Sequence, residues 1–209
     1  MTEFHVRHLP HYDCIDHPTF LTWRLFGTLP PGRWFAPRTT AGQAFLAMDL
    51  LLDNARTGPS YLRQPEIARM VVDAIRYRNG GPYQLHNYVV MANHVHLLIT
   101  PCEPVPRLMQ SLKRFTAREG NRMLGLTGRS FWQDESYDRL VRNETEFERI
   151  ASYIEMNPVR AGLVVSPGEF PWSSAGPINN RPQIDNLPHT DGDGLSPSLQ
   201  QRQRVHIDH

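Results

Sequence analysis

The chain has little of what several common architectures require. Two cysteines, Cys14 and Cys102, in 209 residues are too few for a disulfide framework or a four-thiolate zinc site, and read as unpaired thiols of a reducing compartment. No apolar run approaches the ~20 residues of a membrane span. Met1 to Pro10 carries charges and two histidines where a secretion signal needs an apolar stretch, so a soluble, cytoplasmic protein is expected. An excess of one charge sign is missing too: Lys+Arg 22 against Asp+Glu 21 gives +1. That excludes a uniformly basic, tail-like nucleic-acid binder and leaves room only for a local basic face. Lysine is nearly absent, Lys113 standing alone. Arginine suits bidentate phosphate contacts, and a GC-rich coding sequence produces the same bias with no role attached.

The hydrophobic fraction is 40% and the mean hydropathy −0.47, so part of the chain lies outside a core. From residue 177 to 209 the composition turns to Pro, Asn, Asp, Gln and Ser without period. Such a segment buries too little to offset its ordering entropy and is expected to be a disordered tail. Residues 1–18, with His5, His8, His11 and His17, read as an irregular polar leader. The interval 19–176 reads as one domain. Thr19 to Leu29 alternates as a strand. Gly42 to Ala55 and Pro65 to Arg78 have helical spacing. Tyr83 to Met91 and His94 to Pro101 form a hairpin joined through Ala92-Asn93. Val105 to Leu124 is a helix, Ser136 to Arg142 a short strand, and Glu144 to Asn157 a helix that Pro158 should end. The order β-α-α-β-β-α-β-α predicts an α+β fold, an antiparallel sheet with helices on one side.

Three features carry chemistry. In M-A-N-H-V-H-L-L-I (91–99), His94 and His96 share one face of a strand and Val95, Leu97 and Ile99 the other. Two imidazoles so placed can share a cation, or be surface histidines of a solvated sheet face. In the last helix Asn143 and Glu146 make a start resembling a capping box. Tyr153 and Asn157, at i and i+4, lie beside the stripe of Phe147, Ile150, Ala151 and Ile154. In the helix from Val105, Arg107, Arg114, Arg118 and Arg122 line one stripe. With Lys113, and against Glu119, the segment carries 5 − 1 = +4, enough to track a phosphate backbone or simply to solvate a helix face.

In this order and spacing the chain resembles the REP-associated tyrosine transposases and the wider single-tyrosine HUH transposases of small insertion sequences. The resemblance runs from the Thr19 strand to Trp172-Ser173-Ser174. It rests on 91–99, Leu112-Lys113-Arg114, Phe131-Trp132-Gln133, Tyr137-Asp138-Arg139, the run 153–164 (Y-I-E-M-N-P-V-R-A-G-L-V) and Pro171-Trp172-Ser173-Ser174. Ala92 stands where the family has proline. The segment 31–64, with its own helix, is an insertion relative to the shortest members.

The resemblance implies a ferredoxin-like, RRM-like HUH core. It implies His94 and His96 as ligands of a divalent metal (Mg²⁺ or Mn²⁺), Asn157 as third ligand through its amide oxygen, and Tyr153 as nucleophile. It also implies DNA strand transfer on single-stranded or hairpin DNA through a covalent 5′-phosphotyrosine, by a monomer or homodimer with no membrane partner. Arg107, Lys113, Arg114, Arg118 and Arg122 are the candidate DNA contacts, and Trp132 and Tyr137 candidate base-stacking residues, with core packing the alternative for Trp132. Two other classes compete: a domesticated hairpin-binding protein that does not cut, and a metal-dependent phosphodiesterase that uses water.

Overall fold

The structure, a computed structural model, describes residues 15–29, 41–53 and 58–177. The leader up to residue 14, the tail from 178 and the Pro30-Pro31 break lie outside those residues. The described chain runs β1 (Thr19–Arg24), α1 (Ala41–Asp53), α2 (Pro65–Tyr77), β2 (Tyr83–Val90), β3 (His94–Pro101), α3 (Val105–Leu124), β4 (Tyr137–Leu140) and α4 (Glu144–Arg160). The strands form one sheet in the order β2-β3-β1-β4, every neighbouring pair antiparallel. Each crossover helix, α2 and α3, thus joins strands that run parallel with another strand between them, the split β-α-β arrangement of ferredoxin-like folds. The expected α+β class and element order hold.

Alternation along the central strands sends side chains to two different layers. Leu21 and Trp23 of β1 and Val95, Leu97 and Ile99 of β3 face α2 and α3, with Ile67, Val71, Ile75, Leu108 and Leu112 completing an apolar core. Phe20 of β1 and Leu98 of β3 face the other way, toward Phe45 of α1 and Ile154 of α4. Helices therefore cover both faces, which corrects the expectation of helices on one side. The physical reason is visible in β3, where Leu98 as well as Leu97 is fully buried: an apolar residue among the histidines needs a cover.

Local chemistry sets the element ends. Gly125, at φ 67°, is the left-handed C-cap of α3. Gly120 lets α3 approach Phe131, whose ring carbon would sit 2.6 Å from an added Cβ. Asn143 caps α4 by accepting from the Glu146 backbone N–H at 2.9 Å, and the Glu146 carboxylate accepts from the Arg142 N–H at 2.8 Å, one residue ahead of the cap. Helix α4 does not stop at Asn157. It runs to Arg160 because Pro158 sits in the last turn, where the Asn157 and Pro158 carbonyls still accept from the N–H groups of Ala161 and Leu163; Gly162, at φ 69°, then turns the chain away. β1 is shorter than expected, since beyond Arg24 only an isolated bridge, Leu25 to Trp132, continues the pairing. The 172–174 segment covers the outer edge of β2, with Trp172 O and Ser174 N bonded to Val90 N and Tyr88 O.

Candidate metal and tyrosine site

The β2–β3 hairpin turn and β1 set the two imidazoles. Met91 N donates to His94 O at 2.9 Å, a tight turn that Ala92 tolerates. His94 and His96 then emerge on the α1/α4 side of β3, both fully buried, with ring centroids 4.7 Å apart. Asn93 Nδ2 donates to Leu52 O at 2.9 Å, which orients its amide so that Oδ1, 2.7 Å from His94 Nδ1, accepts the ring proton. His94 Nε2 is therefore bare and faces the site. Thr22, paired with His96 across the β1–β3 ladder, places Oγ1 2.8 Å from His96 Nδ1 and leaves its Nε2 facing the same point. Such outer partners fix ring orientation at metal centres.

Helix α4 brings Tyr153 and Asn157 to those rings, one turn apart as their spacing requires. Tyr153 lies 5.7 Å from His96 between ring centroids. Asn157 is fully buried, its Nδ2 3.4 Å from His96 Nε2. Phe20 and Phe45 flank the tyrosine at 6.4 and 6.0 Å, and the Arg160 guanidinium stands 4.9 Å over its ring. The four residues implied by the resemblance thus converge.

A fifth group joins them that sequence reasoning passed over. Asp49 of α1, buried, places Oδ1 2.9 Å from His96 Nε2 and 3.5 Å from His94 Nε2. Its Oδ2 accepts from the Tyr153 hydroxyl and, at 3.3 Å, from Asn157 Nδ2. Asp53 Oδ1 lies 3.9 Å from His94 Nε2. The available signal was an acidic residue inside the apolar run F-L-A-M-D-L-L-L (45–52), since a charge there must find a partner. Asn93 and Thr22 left no comparable trace.

The cluster suits a cation. Asp49, His94 and His96 offer ligand atoms within 4.8 Å of one another. Four of the buried polar atoms without a hydrogen-bond partner, Asp49 Oδ1, Asp53 Oδ1, His94 Nε2 and Asn157 Oδ1, belong to this cluster. The bare His94 Nε2 and the Asp49 carboxylate, 3.5 Å apart, bring lone pairs together, and a positive charge between them would relieve that repulsion. A proton on His94 is not that charge at neutral pH: burial and then His96 hold its imidazole down at about 3, against the pull of Asp49. Burial pushes Asp49 up, but His96, His94 and Tyr153 outweigh it and leave the carboxyl well below its usual range. Asp53 is pushed up to about 6 by burial and by Asp49. Tyr153 is raised, by burial first and the Asp49 charge second. A mixed imidazole and oxygen set fits a divalent metal.

The basic helix stands elsewhere. α3 packs on the opposite face of the sheet from this cluster. Arg107 lies 3.8 Å from Glu103, and Arg118 and Arg122 both reach Glu119, at 3.1 and 2.9 Å. Arg114 is exposed. Lys113 is turned inward, its Nζ donating to Gln133 O at 2.6 Å and Asp134 O at 2.8 Å. Trp132 is buried and donates to Thr116 Oγ1 at 2.8 Å, the packing alternative. Tyr137 stacks on Phe45 at 4.7 Å. No helix among the described residues is long and apolar enough to cross a membrane.

Known proteins resemble this chain. Residues 70–157 match the family described as "Transposase IS200 like". The REP-associated tyrosine transposase of Escherichia coli (strain K12) is 25% identical over 125 residues, 58% of this chain and 72% of that protein. A solved structure, described as a REP-associated tyrosine transposase bound to a REP hairpin, shares the fold with a TM-score of 0.51 and 20% identity, covering 83% of this chain and 82% of that one. The resemblance read from the sequence is borne out over residues 70–157, the stretch that matches the IS200-like transposase family. That stretch contains His94, His96, Tyr153 and Asn157, whereas Asp49 falls before it.

Proposed function

We propose that this chain, built around its IS200-like transposase domain, is a strand-transfer enzyme that cleaves and rejoins single-stranded DNA at hairpin ends through a covalent 5′-phosphotyrosine on Tyr153. The observation that carries the reading is the convergence of the Tyr153 hydroxyl, the two imidazoles and Asn157 at one buried cluster. The printed descriptions of the relatives, a tyrosine transposase and one bound to a hairpin, point the same way.

His94, His96 and Asn157 would hold a divalent ion, Mg²⁺ or Mn²⁺. The amide of Asn157 has nearly the same shape with oxygen and nitrogen exchanged, so a half-turn of the side chain offers its unpartnered oxygen. When bound, the ion supplies positive charge where negative charge gathers on a non-bridging phosphate oxygen. Tyr153 forms the new bond from its phenolic oxygen to phosphorus as the bond from phosphorus to the 3′ oxygen breaks. The phenolic proton is lost and the leaving 3′ oxygen gains one. The phosphotyrosine keeps the diester's free energy, so a second 3′ hydroxyl can reverse the step and join strands without ATP. Burial and the Asp49 charge keep the phenol protonated in the resting chain, and Arg160 over the ring opposes them.

Arg107, Arg114, Arg118 and Arg122 are proposed to bind the DNA backbone, with Lys113, whose ammonium the Gln133 and Asp134 carbonyls hold, supporting the helix alongside them. Because α3 and the tyrosine lie on opposite faces of the sheet, the substrate has to reach both: a folded duplex against α3 and a single strand led round to Tyr153. Residues 19–176 act as one catalytic domain, on DNA in the cytoplasm. The test is cleavage of hairpin oligonucleotides with single-stranded flanks, in Mn²⁺ and after chelation. Expected are a covalent adduct in wild type, none in Tyr153→Phe with hairpin binding retained, and loss of cleavage on chelation. A gel shift with no cleavage in any metal, or hydrolysed product with no adduct, would replace this reading by the binding-protein or phosphodiesterase one.

A further inference from the structure

Among the described residues of helix α1, Phe45, Met48 and Leu52 hold it to the rest of the fold. Phe45 packs edge-on against Phe20 at 5.3 Å and stacks on Tyr137, and Leu52 O accepts from Asn93. Leu46 and Leu50 stay exposed. Against these stands the burial of Asp49, whose side chain is 2% exposed and which meets no arginine or lysine among the described residues. A buried carboxylate needs a compensating charge. The two oxygens divide their work. Oδ1 lies 2.9 Å from His96 Nε2 and 3.5 Å from the bare His94 Nε2, and Oδ2 takes the Tyr153 hydroxyl proton as a hydrogen bond, which fixes the rotation of that hydroxyl and the direction of its lone pairs.

We propose that Asp49 is the residue through which α1, lying outside the transposase-like stretch, takes part in the site: a ligand to the divalent ion through one oxygen and a positioning residue for the Tyr153 hydroxyl through the other. Ion binding and the docking of α1 are then one equilibrium, because the ion supplies the charge that makes burying Asp49 favourable. The ligand role needs no assumption about DNA; the positioning role rests on the strand-transfer reading.

The test uses the full chain without DNA. Mn²⁺ binding is measured by electron paramagnetic resonance, and protection of residues 41–53 by hydrogen exchange with and without Mn²⁺. Wild type should show α1 protection that rises with Mn²⁺. Asp49→Ala should bind Mn²⁺ about tenfold or more weakly and lose the Mn²⁺-dependent protection, and Asp49→Asn should fall between. Tyr153→Phe should bind Mn²⁺ within about twofold of wild type. Should Asp49→Ala fail to fold, Asp49→Asn and Asp49→Glu carry the test, the latter recovering part of the affinity. Wild-type Mn²⁺ affinity in every Asp49 variant, with α1 protection indifferent to the ion, overturns the proposal. With hairpin substrate, Asp49→Asn should lower kcat more than it raises KM. An adduct formed at wild-type rate by the Asp49 variants sinks the positioning role and leaves the strand-transfer reading standing. Absence of adduct in wild type sinks that reading and leaves the ligand role to the Mn²⁺ data.

Discussion

The two faces of the sheet solve different problems. Toward α2 and α3 the inward residues of β1 and β3 are apolar, and each buried Leu or Val there contributes about 1.5–3 kcal/mol. Toward α1 and α4 the same strands alternate Phe20, Thr22, His94, His96 and Leu98, and the helices add Asp49, Tyr153 and Asn157. One layer is a core. The other gathers buried nitrogen and oxygen atoms without hydrogen-bond partners, a set that could hold a cation. Stability and chemistry are separated by the thickness of one strand, with β3 supplying both.

That contrast can be broken in order of expected effect. On the polar face, His96→Ala should abolish metal-dependent cleavage, at least about a hundredfold, while thermal stability of the ion-free protein changes little or rises; a large loss of stability with cleavage retained would reverse the assignment of the two faces. On the apolar face, Leu97→Ala should cost about 2–5 kcal/mol by denaturant unfolding. Asn93→Ala, which releases the His94 ring, should weaken metal affinity about 10–100-fold, read by Mn²⁺ titration. Replacing Arg114 and Arg118 with alanine should weaken hairpin binding at all sequences and lower the salt slope by about one per residue. Lys113→Ala, whose ammonium is tied to two carbonyls, should show up in stability more than in that slope.

The pH dependence has two opposed parts. His94, held at about 3 in the fold against roughly 6.5 unfolded, takes up its proton in the unfolded chain first. It therefore makes the chelated protein less stable as pH falls from about 6.5 toward 3. Asp53, held at about 6 against a usual 3.8, binds its proton first in the fold, so its contribution is present at low pH and lost as pH rises through that window. His94→Gln should remove the first slope and leave the second, which chemical denaturation between pH 4 and 7 would resolve.

Much of this is legible in the amino-acid sequence. Alternation in 94–99 fixed which residues share a face, and the i,i+4 spacing of Tyr153 and Asn157 put both on one helix flank. The parts that were not legible depend on tertiary placement. The single-sided sheet failed at Leu98, which one strand's pattern cannot assign to a covered face. The rule for the residue before proline predicts a helix end at Asn157 and says nothing of how a last turn redirects its carbonyls. Asp49 escaped because its partners lie 45 and 47 residues away in sequence. Only the docking of α1 against Phe20 and Tyr137 brings it to them, and an acidic residue in an apolar run does not name its partner.

The most direct measurement is the intact mass of the protein after incubation with Mn²⁺ and a hairpin oligonucleotide carrying a single-stranded flank. Wild type should gain the mass of the DNA fragment on the 5′-phosphate side of the cut, and Tyr153→Phe should gain none. Retention of that added mass in the phenylalanine variant, or cut DNA with the wild-type mass unchanged, would contradict the account.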